Sequence, residues 1–195
     1  MHYPNGKLYI KKEETKQINI KASLSAANRG MSLENDINLS NDFYRANQMC
    51  LITKRPTPIN VVKVDYSKGA KIVNAYFEKQ STTDYNGVYK GRYIDFEAKS
   101  TKSKTSFPLS NISTHQITHL KNVIYHGGIA FFIIEFASYG KVFLLDATYV
   151  INAYENGDRK SITFDSICKD GKEIKRGFSP RLDYLQIVKE KYNFI

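Results

Sequence analysis

The sequence predicts an α/β fold, a central mixed β-sheet flanked by helices. Three observations predict it. Residues 129–136 form a nearly continuous apolar run, the mark of a strand buried on both faces. Segments rich in β-branched and aromatic residues near 50–53, 59–64 and 92–99 supply further strands. Helical segments fall between and after these strands, in the order helix, strands, helix, strands, helix.

Length and composition set the frame. A chain of 195 residues suits one domain with appendages and is long enough to bury a core without staples. With 42% hydrophobic and 25% charged residues it reads as globular rather than disordered. The 29 Lys plus Arg outnumber the 19 Asp plus Glu, giving a net charge of +10. Such an excess attracts polyanions: nucleic acid, an anionic membrane face or acidic proteins. Cys50 and Cys168 lie far apart and form no CxxC pair, which excludes a disulfide scaffold and a cysteine zinc site. The sequence shows no signal-peptide pattern, and its longest apolar stretch is too short to cross a bilayer. A cytoplasmic protein is therefore expected.

Along the chain, residues 1–27 read as a basic arm, polar and without periodicity. A first helix is expected from about residue 30 to about residue 47. Two strands follow, 50–53 and 59–64, joined by an extended connection that Pro56 and Pro58 impose. Ser67-Lys68-Gly69 breaks the second strand. The basic, partly aromatic stretch to residue 80 is expected to be a projection or a short helix rather than a core element. Asn86-Gly87 carries the signal of a hairpin turn, and strands at 88–90 and 92–99 are then expected to pair. Ser113 is placed to cap a helix running to about 126, ended by Gly127-Gly128. After the central strand at 129–136 comes a neighbour at 141–145, then helices at 147–155 and 183–192.

The chemistry concentrates on Asp84 and Glu97-Ala98-Lys99. Side chains alternate along a strand, so Glu97 and Lys99 share one face. Asp84, at the end of the preceding hairpin strand, supplies a second carboxylate there. Two carboxylates suit Mg²⁺, a hard cation that prefers oxygen and keeps several waters. A lysine beside them stabilises charge building on a phosphate. By spacing alone, the same residues equally suit a surface strand with an ion pair of little energetic value. Asp95 falls on the face of Glu97, and Arg92 and nearby lysines are its expected partners behind the ligands. His115 and His119 stand at a spacing zinc helices use, but no third ligand accompanies them, so His119 is expected to be packed or solvent-facing.

The run Ser81-Thr82-Thr83-Asp84-Tyr85-Asn86-Gly87-Val88-Tyr89, then Arg92-Tyr93-Ile94-Asp95-Phe96-Glu97-Ala98-Lys99, then Phe107-Pro108-Leu109 and His115-Gln116, closely resembles the RecU Holliday junction resolvases. Asn28-Arg29-Gly30-Met31-Ser32-Leu33-Glu34, Lys54-Arg55-Pro56-Thr57-Pro58 and Ser179-Pro180-Arg181-Leu182-Asp183-Tyr184-Leu185 extend the resemblance from about residue 28 to 190. It implies a restriction-endonuclease-like core spanning 28–195, with a stalk at about 65–80. The implied activity is structure-selective, Mg²⁺-dependent cleavage of Holliday junctions in DNA recombination and repair, with Mn²⁺ as a second candidate ion. Thr82, Asp84, Glu97 and Gln116 are the implied metal residues, with Lys99 as transition-state stabiliser. The resemblance also implies a homodimer, and links Arg29 and the arm to DNA and to the RecA recombinase and branch-migration machinery. Two features depart from the pattern: Thr83 stands where the wider nuclease superfamily often has Pro, and the stalk lacks an expected Pro and Arg near Ser67-Lys68-Gly69.

The residues themselves agree with a DNA partner. Lys68, Lys71 and Lys79 lie on the stalk segment among Tyr66, Tyr76 and Phe77, and Lys102 and Lys104 follow the Glu97 strand. Lysines hold phosphates and aromatics stack on exposed bases. Two other functions are carried forward: a restriction-type duplex endonuclease, and a DNA-binding accessory protein that modulates RecA.

Overall fold

The computed structural model describes residues 32–77 and 82–194. The basic arm expected over 1–27, together with Arg29 and Lys79, lies outside the described residues. Helix α1 covers residues 32–46. It is followed by strands β1 (Leu51–Lys54), β2 (Ile59–Asp65), β3 (Lys71–Phe77), β4 (Tyr85–Tyr89), β5 (Arg92–Thr101) and β6 (Ser106–Pro108). Helix α2 (Thr114–Tyr125), strands β7 (Ile129–Phe136) and β8 (Lys141–Asp146) and helix α3 (Ala147–Asn156) come next. The chain then forms β9 (Ser161–Thr163), α4 (Phe164–Asp170), β10 (Lys172–Ile174) and α5 (Tyr184–Lys191).

Six strands form the central sheet in the order β1-β4-β5-β7-β8-β10. The β5–β7 pair is parallel and the others are antiparallel, so the sheet is mixed as expected. A parallel pair needs a crossover, and α2 provides it. All eight residues of β7 are buried. Ile129, Phe131 and Ile133 pack with Leu33, Ile37 and Tyr44 of α1 and Leu185 and Val188 of α5. Ala130, Phe132, Ile134 and Phe136 pack with Ile117 and Leu120 of α2, Val150 of α3 and Ile167 of α4. The apolar run has no polar face because each side is covered by helices; each such side chain contributes about 1.5–3 kcal/mol. No helix among the described residues is long and apolar enough to cross a membrane.

Several expectations are corrected. Asn86-Gly87 does not form the turn: both residues sit within β4, opposite Asp95 and Ile94. The turn is Lys90-Gly91, with φ of 46° and 78°, the left-handed pair that a two-residue hairpin of the primed kind requires. Gly87 answers a different demand. A Cβ there would lie 2.0 Å from the Leu51 carbonyl oxygen, so the close approach of β1 excludes a side chain.

The stretch expected as a projection or short helix contains β3, which pairs with β2 alone as a two-stranded ribbon. The projection therefore starts at Ile59 rather than at 65. Ile59, Val61, Ile72 and Val73 are all about half exposed or more, since among the described residues no helix covers either face of the ribbon. The small β6–β9 sheet, α4 and β10 are elements of three to seven residues, too short for periodicity to announce.

Candidate metal centre

Strand β5 carries the site by simple alternation. Ile94, Phe96 and Ala98 face the core shared with α1 and α5. Asp95, Glu97 and Lys99 therefore face the α2 side. Asp95 and Glu97 are 0% and 1% exposed, while the Lys99 side chain keeps 23% of its surface in water.

Asp84 joins them because of the β4–β5 register. Tyr85 pairs with Phe96, so Asp84 lies one step beyond, opposite Glu97. The Asp84 N–H donates to Glu97 Oε2 at 3.1 Å, and the Ala98 N–H donates to Asp84 Oδ2 at 3.1 Å. Lys99 Nζ lies 2.7 Å from Glu97 Oε1. Burial, then the Asp84 carboxylate, pushes the Glu97 carboxyl up to about 8 against the pull of Lys99. Burial also raises Asp84, opposed by the Ala98 N–H and by Lys99.

Gln116 reaches the same place from α2. Ser113 is the N-cap and Gln116 the third helical residue, the spacing of a capping box. Gln116 Oε1 accepts from the Ser113 N–H at 3.1 Å and from Ser113 Oγ at 2.9 Å. That fixes the amide so that Nε2 donates to Glu97 Oε1. Gln116 thus meets the carboxylate as a donor, with its oxygen turned toward the helix cap. Thr82 lines the wall of an open cleft of about 980 Å³ beside α2, among Ser110, Thr114, His115 and His119. Among the described residues it is not hydrogen-bonded to either carboxylate.

Asp95 has partners other than Arg92 and the lysines. It accepts from Thr83 Oγ1, from the Arg55 guanidinium, from the Tyr93 hydroxyl at 2.8 Å and from His119 Nε2 at 2.9 Å. Arg92 instead donates to the Tyr192 carbonyl at 3.1 Å. His119 is therefore neither simply packed nor free in solvent. Arg55 and Glu34 carried no signal in the sequence beyond their place in quoted motifs, since both act across the fold. Glu34 binds Lys54 and its charge also raises Asp84.

The donor set bears on which metal fits. Among the described residues no group of three or more His, Cys, Asp or Glu is arranged for a metal. Two carboxylates are present, both raised, with one ammonium beside them. Zinc sites take at least three protein ligands, whereas Mg²⁺ is held by one or two carboxylates plus waters and substrate phosphates. The pair fits the second pattern.

Of the residues expected to touch DNA, Lys68, Lys71 and Tyr76 stand exposed on the β2–β3 ribbon. Lys102 and Lys104 are exposed on the segment after β5, anchored where Ser138 Oγ donates to the Lys102 carbonyl at 2.6 Å and the Tyr139 hydroxyl to that of Lys104 at 3.1 Å. The structure thus brings together Asp84, Glu97, Lys99 and Gln116 and sets the ribbon residues apart from them.

Residues 28–190 match the family model Recombination protein U, RecU. The chain is 48% identical to the Holliday junction resolvase RecU of Bacillus thuringiensis (strain Al Hakam), over 98% of each chain. The same values hold for that of Bacillus cereus (strain AH820). Among solved structures, the Holliday junction resolvase Hjc of Archaeoglobus fulgidus aligns with a TM-score of 0.44 and 12% identity, over 73% of this chain and 94% of that one.

Proposed function

The chain belongs to the RecU family, and from that premise we propose that it is a Holliday junction resolvase, a structure-selective endonuclease hydrolysing DNA phosphodiesters. The observation that carries this is the convergence of Asp84, Glu97 and Lys99 at one end of the β4–β5 hairpin. Asp84 and Glu97 would hold Mg²⁺, or Mn²⁺ in its place, with Thr82 and Gln116 beside them. A dication so bound supplies charge neutralisation and Lewis acidity at the phosphate. Gln116 Nε2 donates to Glu97 Oε1 and helps to orient that carboxylate. Lys99, tethered to the same oxygen yet partly in solvent, is positioned to stabilise negative charge growing on the phosphoryl group.

In this reading the unit is residues 28–195 with the ribbon as stalk, and 1–27 serves as a DNA-binding arm. Lys68, Lys71, Tyr76, Lys79, Lys102, Lys104 and Arg29 contact DNA. Recognition is of shape, through phosphates, with aromatics against unstacked bases. A homodimer suits the substrate, because a four-way junction presents two symmetric strands to two identical sites. RecA is a further proposed partner.

Cleavage of a synthetic four-way junction with Mg²⁺, beside a linear duplex of the same sequence and a Glu97→Ala control, tests the proposal. Symmetric nicks in the junction alone, lost on substitution, are expected. Equal cutting of both DNAs would replace it with the duplex endonuclease. Tight junction binding with no cutting under any divalent metal would leave the accessory role.

A further inference from the structure

Phe178 is fully exposed, at 100% of its possible surface. A large hydrophobe in water is unremarkable on a frayed loop, but this loop is fastened on every side. The Gly177 N–H donates to the Arg181 carbonyl at 2.9 Å, and Arg181 Nη1 returns to the Gly177 carbonyl at 3.2 Å. Below the tip, Arg176 pairs with both Asp36 and Glu135, and Arg181 Nε binds Asp36 at 3.1 Å. Both acids are largely buried, at 9% and 6% exposure. The base of the loop is thus tied down by a cluster of ions, with the ring at its exposed tip.

Sheet register shows where the loop stands. Thr101 of β5 pairs with Phe136 of β7, Phe136 with Lys141 of β8, and Val142 with Ile174 of β10. The C-terminal ends of β5, β7 and β10 therefore lie at the same end of the sheet, and residues 175–181 leave from that end. Lys102 and Lys104 leave from it too. Ser100, next after Lys99, donates to Glu135 at 2.7 Å, and Glu135 holds Arg176. One bonded path joins the candidate active strand to the base of the Phe178 loop. The charges of Arg176 and Arg181 are met by Asp36 and Glu135, while the exposed Lys102, Lys104 and Lys175 have no acidic partner among the described residues. An exposed aromatic tip and unpaired lysines at one end of the sheet, the end where the strand carrying Glu97 and Lys99 finishes, fit DNA.

We propose that Phe178 is a DNA-contacting wedge: its ring stacks on a base exposed where an arm of the junction opens, with Lys102, Lys104 and Lys175 on the flanking phosphates. The inference rests on the resolvase reading and adds to it a second contact surface, separate from the ribbon. Because Phe178 packs against nothing, its substitution leaves the fold intact and isolates the contact.

The test is junction binding by the full chain in EDTA, where metal-dependent cleavage cannot run, using junctions with 2-aminopurine beside the crossover. Phe178→Ala is expected to weaken binding about tenfold and to lose the fluorescence change at one labelled position, as removal of one base-stacking aromatic does. Phe178→Tyr retains both, and both variants keep the parental melting temperature. Junction binding by Phe178→Ala equal to the parent overturns the proposal. So does a change in sedimentation mass, which would make the tip a contact between copies. A parent that binds neither junction nor duplex sinks the resolvase reading itself, and the wedge with it.

Discussion

Asp84 and Glu97 face each other one step past the last paired residues of β4 and β5, two carboxylates crosslinked through backbone N–H groups. The carboxyl of Glu97 rises from 4.5 to about 8 on folding. Below the lower value both folded and unfolded chains are protonated there, and the group does not affect stability. Between the two values the unfolded chain has lost its proton and the folded one keeps it, so stability falls as pH rises toward 8. Glu97→Gln is therefore expected to stabilise the metal-free protein at pH 8.5, on the order of 2 kcal/mol, and to change little at pH 4. Thermal melts in EDTA at both pH values measure this. A Glu97→Gln protein less stable than the parent at pH 8.5 would refute it.

Gln116 touches Glu97 through its amide nitrogen, and partners of this kind set ligand orientation. Gln116→Ala is expected to lower Mg²⁺ affinity about 10–100-fold without unfolding α2. Calorimetric titration of the DNA-free protein reads the affinity, and circular dichroism reads the helix.

Asp95 is fully buried among four donors, one of them an arginine whose Nε is buried without a partner among the described residues. Removing the carboxylate strands that guanidinium. Asp95→Ala is expected to cost about 3–5 kcal/mol, seen as a lower urea midpoint with an unchanged slope.

Gly87→Ala forces a Cβ toward the Leu51 carbonyl. Separation of β1 from β4 should cost about 1–3 kcal/mol. Gly91→Asn, at a positive-φ position open to a side chain, should cost much less. Equal losses at the two glycines would show that β1 yields freely.

Lys68 and Lys71 stand exposed on the ribbon. If each neutralises one phosphate, either Lys→Ala change reduces the slope of log affinity against log salt by about 1 and weakens all junction sequences alike. Fluorescence anisotropy over a range of NaCl concentrations decides it.

What could be read from the sequence follows the range of the forces involved. The run at 129–136 announced β7 because burial on two faces leaves little room for polar residues; its one acid, Glu135, is paired with Arg176. Strict alternation announced that Glu97 and Lys99 share a side, and they are in contact. Asn86-Gly87 misled because a glycine required by the passing backbone of β1 looks the same as one required by a turn. The basic, partly aromatic stretch to residue 80 read as no core element, and its Ile72 and Val73 lie on a ribbon open to water. The bonds of Asp95 to Arg55 and His119 cross 40 and 24 positions and leave no local pattern.

One residue of α2 does two jobs. Gln116 closes the first turn of its own helix with Ser113 and also reaches into the carboxylate pair. The start of that helix is thereby a gauge for the reaction centre. Each residue added or removed between β6 and the cap turns the helix face by about 100° if the cap shifts with it. An inserted residue would preserve a well-capped helix and swing the amide away from Glu97. The connection from 109 to 113 should therefore tolerate exchanges of side chain far better than changes of length.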